Sequence, residues 1–425
     1  MMVTTTAPEP SELRRRLGLS DAVTIGLGAM LGAGVFAAFA PAARAAGSGL
    51  LVGLALAALV AYCNAASSAR LAARYPASGG TYVYGRERLG PFWGHLAGWG
   101  FVVGKTASCA AMALTVGAYA WPGHERPVAV AAVVALTALN CLGVQKSAWF
   151  TRAVVVVVLA VLTAVVVAGF GGGHPDAQHL ELGSDATMTG VLQAAGLLFF
   201  AFAGYARVAT LGEEVRDPAR TIPRAIPIAL GITLVVYAAV AVVALGVLGA
   251  DRLAGSTAPL ADTVRAAGVP ELAPVVRAGA AVAALGSLLA LILGVSRTGL
   301  AMARDRHLPV FLAAVEPRHQ VPRRAELTVG AVVVVLAATV DLRGAIGFSS
   351  FGVLVYYAIA NASAWTLRAE ETPARRPVVR TVAVVGLTGC LLLAFSLPAV
   401  SVITGSAVLA AGALSYAVRT RLATR

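Results

Sequence analysis

The segment GLGAMLGAGVF, residues 26–36, places small residues in the middle of an apolar run. Gly32, Ala33 and Gly34 lack bulky side chains, and glycine tolerates the dihedrals that a helix break requires. A break frees amides at the start of one half-helix and carbonyls at the end of the other, which together can hold a carboxylate and an ammonium group. The alternative is that small residues allow helices to pack closely, as in the GxxxG pair of Gly28 and Gly32. This segment alone leaves both interpretations open.

A second small-residue interruption lies in GLLFFAFAGYARVATLGEE, residues 196–214. Ala203 and Gly204 stand there among aromatic residues, which are Phe199, Phe200, Phe202 and Tyr205. If both segments belong to membrane spans five apart in order, they run in opposite directions, as an inverted five-helix repeat requires. Two interruptions at corresponding positions favour a central binding site over simple close packing.

Three basic residues lie within apolar runs, where a charge near the bilayer centre is costly, so each is a functional candidate. They are Lys105, Arg207 and Arg297. Arg207 could pair with an acid at an inner gate, and the candidates are Glu213, Glu214 and Asp21. The favoured alternative is an arginine that extends to the cytoplasmic boundary. Arg297, near the end of its run, is interpreted as setting topology.

Motifs for enzymatic chemistry are absent from the sequence. It contains no HExxH or GxSxG, the histidines fall in loops or at the ends of apolar runs, and the interiors of these runs are interpreted as free of acids. The cysteines are dispersed without a CxxC pair, which indicates no metal site, cofactor or disulfide framework; they are Cys63, Cys109, Cys141 and Cys390. These observations argue against an enzyme, and the lack of a charged ring argues against a channel.

The elements that must position these residues are membrane helices. The chain has 425 residues, is 58% hydrophobic and 12% charged, and has a mean hydropathy of +0.81. Its charges gather between long apolar runs, which predicts a polytopic membrane protein with twelve spans. We place the spans at residues 22–43, 48–69, 92–121, 127–144, 150–170, 188–211, 225–249, 274–302, 325–341, 345–367, 381–397 and 399–418.

Basic residues indicate the orientation of these spans. With the N-terminus inside, most of the 33 Lys and Arg residues flank cytoplasmic span ends. Those outside are Arg44, Arg126, Arg252, Arg265, Arg277 and Arg343. The bias predicts both termini in the cytoplasm and explains the net charge of +13 without a nucleic-acid partner. Residues 1–17 lack the apolar segment of a signal peptide and are predicted to form a short cytoplasmic tail.

Three segments, in order, resemble motifs of the amino acid–polyamine–organocation superfamily of permeases. They are GLGAMLGAGVF, YPASGGTYVYGRERLGPFWGHLAGW at residues 75–99, and FFAFAGYARVATLGEEVRDPARTIPRAI at residues 199–226. The resemblance covers nearly the whole chain and implies the leucine-transporter fold, with discontinuous helices 1 and 6. We therefore predict an all-α integral membrane protein with one permease domain, residues 18–425. Its inverted repeats would span about residues 20–170 and 188–367, and two extra helices about residues 381–418.

The resemblance also implies where a substrate binds. The substrate carboxylate is expected at the amides of Gly32, Ala33 and Gly34. Its ammonium group is expected at backbone carbonyls of both interrupted spans, which are those near Ala29, Met30, Phe199, Ala201 and Phe202. Beside the interruption at Ala203 and Gly204, the rings of Phe202 and Tyr205 would cover or line the side-chain pocket; the alternative is core packing.

Two positions depart from the pattern of this superfamily. Proton-coupled members often carry a lysine in span five whose ammonium replaces a sodium ion, and the matching residue here is Val158. Other members carry an acid just after the span-six interruption, where this chain has Ala206. We hypothesise that Lys105 replaces the missing cation and exchanges a proton. The alternative is a fixed structural ammonium bound to carbonyls or extending toward an interface.

The sequence thus predicts a secondary active transporter in the plasma (inner) membrane that moves amino acids or related amines by alternating access. Coupling to protons or exchange of substrates would drive it, and Glu213 and Glu214 are weaker candidates for gating. The expected partners are a small-molecule substrate, protons and the lipid bilayer. A passive channel or a non-catalytic amino-acid sensor is the alternative function. The substrate, the stoichiometry, symport versus antiport, and the oligomeric state stay open.

Overall fold

A computed structural model describes residues 17–75, 79–143, 148–172, 175–183, 186–209, 214–316, 321–371 and 376–423. Within these ranges the regular structure is helical, with two isolated β-bridges. The first eight α-helices are α1 Leu19–Met30, α2 Ala33–Ala37, α3 Phe39–Ala46, α4 Leu50–Arg74, α5 Thr81–Leu89, α6 Pro91–Ala120, α7 Glu125–Cys141 and α8 Ala148–Gly171. The others are α9 Met188–Phe202, α10 Ala206–Ala209, α11 Pro218–Gly255, α12 Pro259–Ala266, α13 Ala273–Arg304, α14 Arg323–Thr339, α15 Leu342–Trp365, α16 Arg376–Ser396 and α17 Ala399–Ala423.

Ten segments of the described chain are long and apolar enough to cross a membrane. The prediction of an all-α membrane protein is thereby confirmed. Helices α7 and α14, of 17 residues each, occupy the predicted fourth and ninth spans. Helix α11 leaves helical geometry at Gly249 (φ 72°, ψ 166°), the predicted last residue of span seven. Glycine adopts this left-handed conformation without the steric cost that a Cβ atom adds.

Glycines bring α6 and α15 into close contact in the centre of the bundle. A Cβ atom added at Gly352 would lie 3.0 Å from the Gly100 carbonyl oxygen and 3.1 Å from the Gly104 Cα. The hydroxyls of Ser108 and Ser349 hydrogen-bond across the same interface at 2.5 Å. Such small-residue interfaces are typical of membrane helices, where backbone approach replaces the hydrophobic effect between helices. This contact holds α6, and with it Lys105, in the protein interior.

The bundle has two ends, which we name by the predicted sidedness. The inner end holds the start of α1, and the outer end holds the start of α7. At the inner end the Leu17 amide donates to the Glu214 carbonyl (3.1 Å), and the Arg216 amide donates to the Leu17 carbonyl (2.9 Å). Arg152 also forms an ion pair with Asp21. The two Leu17 bonds tie the segment before α1 to the segment before α11, and the ion pair ties α1 to α8.

A second inner-end cluster joins α5 to the end of α13. The Tyr82 hydroxyl donates to Asp305 Oδ2 (2.5 Å) and lies 2.9 Å from His307 Nδ1, and Arg86 Nη1 donates to the same Asp305 oxygen (3.3 Å). Burial, aided by Asp305, raises the pKa of the Tyr82 hydroxyl, and burial lowers the pKa of His307. At neutral pH the cluster therefore contains a neutral phenol, a neutral imidazole and an aspartate–arginine ion pair.

Candidate substrate site at two interrupted helices

The predicted interruption of span one is present. Helix α1 ends at Met30, where the Leu31 amide closes the last turn on the Leu27 carbonyl. Leu31 (φ −75°, ψ 35°) and Gly32 (φ −90°, ψ −141°) leave the helical region, and α2 begins at Ala33. The chain therefore loses regular helical hydrogen bonding inside a segment long and apolar enough to span a membrane.

The interruption of span six is milder than the one in span one. Helix α9 ends at Phe202, and a single 3-10 turn follows over Ala203–Tyr205 before the short helix α10. The Ala203 amide still donates to the Phe199 carbonyl, and Ala203 has φ −64° and ψ 0°. The predicted break at Ala203 and Gly204 is thus a tightened turn rather than an unwound segment.

The two interruptions touch each other through their small residues. A Cβ atom added at Gly204 would lie 2.2 Å from the Ala29 carbonyl oxygen, and one added at Gly34 would lie 2.6 Å from the Ala201 Cα. A Cβ atom at Gly32 would lie 2.0 Å from the Ser287 hydroxyl on α13. The interruption and the close packing that the sequence offered as alternatives are therefore both present.

Tyr237 of α11 connects the carbonyls of both interrupted spans. Its hydroxyl lies 2.5 Å from the Met30 carbonyl oxygen and 3.1 Å from the Ala201 carbonyl oxygen. A phenol has one proton, so it donates to one of these carbonyls at a time. The other carbonyl then keeps acceptor capacity for a further donor, such as a substrate ammonium group.

Lys105 reaches the span-six turn from α6. Its ammonium nitrogen donates to the Ala203 carbonyl at 3.3 Å, and the residue is only 8% exposed. This hydrogen bond, which lies at the span-six interruption, supports the alternative that Lys105 is a structural ammonium group bound to a carbonyl. A positive charge at this place also meets the negative end of the α9 dipole.

The aromatic residues of span six pack against neighbouring rings. The Phe202 ring lies 5.1 Å from the Tyr237 ring between centroids, and the Tyr205 ring stacks on Tyr357 of α15 at 5.0 Å. Phe199 contacts Tyr357 edge-on at 5.9 Å. The core packing given as the alternative role is therefore observed, and the part these rings play toward a substrate stays a prediction.

A small cavity of about 20 Å³ adjoins the span-one interruption, which is space for about one water molecule. Val158 lines it from α8, opposite Ser287 of α13, and Gly28 and Leu31 line it from span one. The position matched to the missing span-five lysine thus stands beside the interruption, where it presents an apolar side chain.

A larger cavity of about 340 Å³ lies at the outer end. Its lining includes Phe36 and Tyr119, and the Tyr119 hydroxyl donates to the Phe36 carbonyl at 3.0 Å. Phe36 is two residues from Gly34, so the lining of the cavity comes close in sequence to the first interruption. Charged residues of both signs line the cavity as well, namely Arg44, Glu125, Arg126, Asp341 and Arg343.

The gating candidates lie toward the inner end. Arg207 is exposed on α10, where Glu214 attracts and Arg297 repels its guanidinium group. Glu214 is half-buried, and its backbone carbonyl accepts the Leu17 amide. The prediction for Glu213 falls outside the described residues. Asp21 pairs with Arg152, a partner that the sequence did not suggest.

One buried acidic residue lies at the edge of a predicted span, outside its apolar core. Glu326, in the first turn of α14, is fully buried, and neither carboxyl oxygen has a hydrogen-bond partner among the described residues. The sequence reasoning passed over it because it stands at the edge of the shortest apolar core. Tyr237 and Ser287 were also missed, since their contacts with Met30 and Gly32 connect residues that are distant in the sequence.

Comparison with known proteins agrees with this architecture. The model of the family described as "Amino acid permease" matches residues 17–418. An uncharacterized transporter of Mycobacterium tuberculosis is 72% identical over 416 residues, which cover 98% of this chain and 93% of the relative.

More distant relatives are also transporters. The branched-chain amino acid permease BcaP of Bacillus subtilis is 27% identical over 432 residues, with 95% of this chain and 92% of the relative covered. The cationic amino acid transporter 7, chloroplastic, of Arabidopsis thaliana is 29% identical over 380 residues, with 83% and 65% covered. As the three motifs predicted, the chain is a membrane transporter rather than an enzyme, and it belongs to the amino acid permease family.

Proposed function

We propose that this protein is a secondary active transporter that moves amino acids or related amines across the plasma membrane by alternating access. Membership of the permease family supports transport. The choice of substrate rests on the contact between the two interrupted spans, where Gly204 packs against Ala29 and Gly34 packs against Ala201. Interrupted spans place amide and carbonyl groups together in an apolar interior, an arrangement suited to a zwitterion.

We assign the two ends of an α-amino acid to opposite sides of this junction. The carboxylate would bind the amides of Gly32, Ala33 and Gly34, which begin α2 and lie in its first turn. The ammonium group would bind carbonyls at the ends of α1 and α9, which are those of Ala29, Met30, Phe199, Ala201 and Phe202. The Phe199 carbonyl already accepts the Ala203 amide, so only its second lone pair is available. Substrate binding would require the close contacts at Gly34 and Gly204 to open.

We also propose twelve spans that form two inverted repeats followed by α16 and α17. The contacts around the interruptions support such a repeat. The span-one interruption contacts span eight through Gly32 and Ser287, and the span-six turn contacts span three through Ala203 and Lys105. In a five-helix repeat, span one corresponds to span six and span three corresponds to span eight, so the two contacts are equivalent. Tyr205 against Tyr357 in span ten likewise corresponds to Leu31 beside Val158 in span five.

The orientation follows from the basic residues, with both termini cytoplasmic. In that orientation the larger cavity opens to the outside, while Leu17, Asp21 and their partners close the inner end. We infer from this arrangement an outward-facing carrier in which Phe36 and Tyr119 would cover the site. We infer that the substrate enters through this cavity and leaves after the inner contacts separate.

For coupling, we propose that Lys105 carries a proton during the transport cycle, or else stays charged in an exchanger. Uptake into liposomes at several pH values distinguishes these cases. Lys105→Met removes the charge, and Lys105→Arg keeps it without releasing a proton. If Lys105 carries the proton, both variants lose the pH dependence of uptake. An unchanged pH profile with full activity in Lys105→Met would contradict the proposal.

The function is tested by a substrate screen on the purified protein. Thermal shifts across amino acids and polyamines identify a ligand, and counterflow of that ligand in proteoliposomes then tests for transport. A carrier shows trans-stimulated exchange, a passive channel shows flux without it, and a sensor shows binding without flux. Failure of every compound to stabilise the protein and to exchange would contradict the proposed function.

A further inference from the structure

We propose that Lys105 determines the charge class of the substrate, so that this permease carries neutral or acidic amino acids and rejects those with cationic side chains. The inference rests on the proposed function, because it assumes that an amino acid binds between the interrupted spans. The names of the relatives do not decide the charge class of the substrate, since both a branched-chain permease and a cationic amino acid transporter are similar to this chain.

Lys105 places its charge beside the span-six turn. Lys105 lies at the midpoint of α6, and its ammonium nitrogen is 3.3 Å from the Ala203 carbonyl. Ala203 opens the 3-10 turn whose next residue, Gly204, packs on the Ala29 carbonyl. The ammonium group therefore lies one residue from the junction where the substrate is proposed to bind.

Lys105 has hydrogen-bonding capacity that the described residues do not use. An ammonium group has three N–H donors, and among the described residues one hydrogen bond from Lys105 is present. The side chain is almost fully buried, so bulk water does not satisfy the other two donors. A carbonyl, hydroxyl or carboxylate of a substrate side chain would satisfy them, whereas a second ammonium or a guanidinium group would not.

Lys105 forms no ion pair with an acidic side chain among the described residues. Every acidic residue of the described chain lies in a connection or near a helix end. Asp21 forms an ion pair with Arg152. Glu326 lies in the first turn of α14, where the positive charge of Arg297 attracts its carboxyl group. Arg207, four residues after Ala203, is attracted by Glu214, so it does not add to this argument. The charge of Lys105 is therefore balanced by carbonyl dipoles and not by a carboxylate among the described residues.

The magnitude of this effect is large enough to select substrates. At a separation of about 6 Å and an effective dielectric constant of about 20, repulsion between two unit charges weakens binding about 100-fold. Substitution of one neutral side chain for another of similar size changes binding far less, so charge dominates the choice. A carboxylate at the same distance gains a comparable attraction, reduced by the cost of its desolvation.

The test compares matched amino acids that differ in charge and little in shape. Arginine is paired with citrulline, lysine with norleucine, and glutamate with glutamine, in thermal-shift and counterflow-competition assays on the full-length protein. For the wild type we expect citrulline and norleucine to bind about 100-fold more tightly than arginine and lysine. In Lys105→Gln this preference should fall to within about tenfold, while Lys105→Arg should retain it.

Two outcomes would overturn the inference, and they separate it from the proposed function. If arginine or lysine binds the wild type as well as its neutral partner, the charge rule is wrong and the transport function stands. If no amino acid of the panel binds or competes, the proposed function fails, and the inference fails with it. The wild-type comparison needs no variant, so poor folding of Lys105→Gln does not affect it.

Discussion

The contact between Gly34 and Ala201 gives the most direct prediction from the packing of the two interrupted spans. A Cβ atom at Gly34 would lie 2.6 Å from the Ala201 Cα and 2.8 Å from its Cβ. Carbon atoms in van der Waals contact are about 3.5–4.0 Å apart, so Gly34→Ala forces α2 and α9 apart by about 1 Å. Overpacking of this kind costs about 1–3 kcal/mol. Backbone atoms are involved on the α9 side, so no rotamer change relieves the overlap.

The measurement is thermal unfolding in detergent together with counterflow in proteoliposomes. We expect Gly34→Ala to melt at a lower temperature and to lose most exchange, and Gly34→Val to lose it fully while still inserting into the membrane. Gly294→Ala in α13 is the matched control, because a Cβ atom there meets nothing within 4 Å. Alanine in that helix should leave stability unchanged or raise it by about 0.5–1 kcal/mol.

The reasoning is refuted if Gly34→Ala melts and exchanges like the wild type. That result would mean that α2 and α9 do not touch at this position. If Gly34→Ala and Gly294→Ala lose equal amounts of stability and exchange, any added methyl group would have this effect, and the explanation by the Gly34–Ala201 contact would be wrong.

Three further predictions concern other buried or paired groups. Tyr237→Phe removes the donor that lies 2.5 Å from the Met30 carbonyl and 3.1 Å from the Ala201 carbonyl, so it should cost about 1–3 kcal/mol and slow counterflow; unchanged melting and exchange would exclude the bridge. Glu326→Leu replaces a buried carboxyl group without a hydrogen-bond partner among the described residues, so the melting temperature should rise, and a fall would show a stabilising partner. The Arg368 amide, with the guanidinium of Arg88, lowers the pKa of Glu371; this stabilisation is present above the ordinary glutamate pKa of about 4.3 and is lost as pH falls through the lower folded value. Glu371→Gln should therefore melt below the wild type at neutral pH and approach it in acid, and a difference that is constant with pH would refute this assignment.

The sequence predicted the helices better than it predicted the contacts between them. Long apolar runs separated by charged turns give span positions directly, because a bilayer fixes the length of the apolar segment. The interruption at Gly32 was predictable because small residues cluster there. At Ala203 and Gly204 the position was predictable, but the sequence did not indicate a tightened turn instead of an unwound segment. The Ala203 amide keeps its hydrogen bond to the Phe199 carbonyl, and the neighbouring Gly204 packs on the Ala29 carbonyl, a contact that no local pattern encodes.

The site needed tertiary information. Lys105 stood out because charge in an apolar span is costly, yet its partner, the Ala203 carbonyl, lies 98 residues away in the sequence. Tyr237 sits in a run of apolar residues that gives no reason to single it out, and only the fold brings its hydroxyl to both interrupted spans. Ser287 likewise gains its position beside Gly32 from the crossing of α13 and span one.

The central claim is that the two interrupted spans hold the substrate between them, and a structure with a bound amino acid tests it most directly. The ligand should be the strongest binder of the substrate screen. The account predicts its carboxylate at the amides of Gly32, Ala33 and Gly34, and its ammonium group at carbonyls of the Ala29–Met30 and Ala201–Phe202 segments. A ligand bound elsewhere, with spans one and six still in contact at Gly34 and Gly204, would contradict the claim.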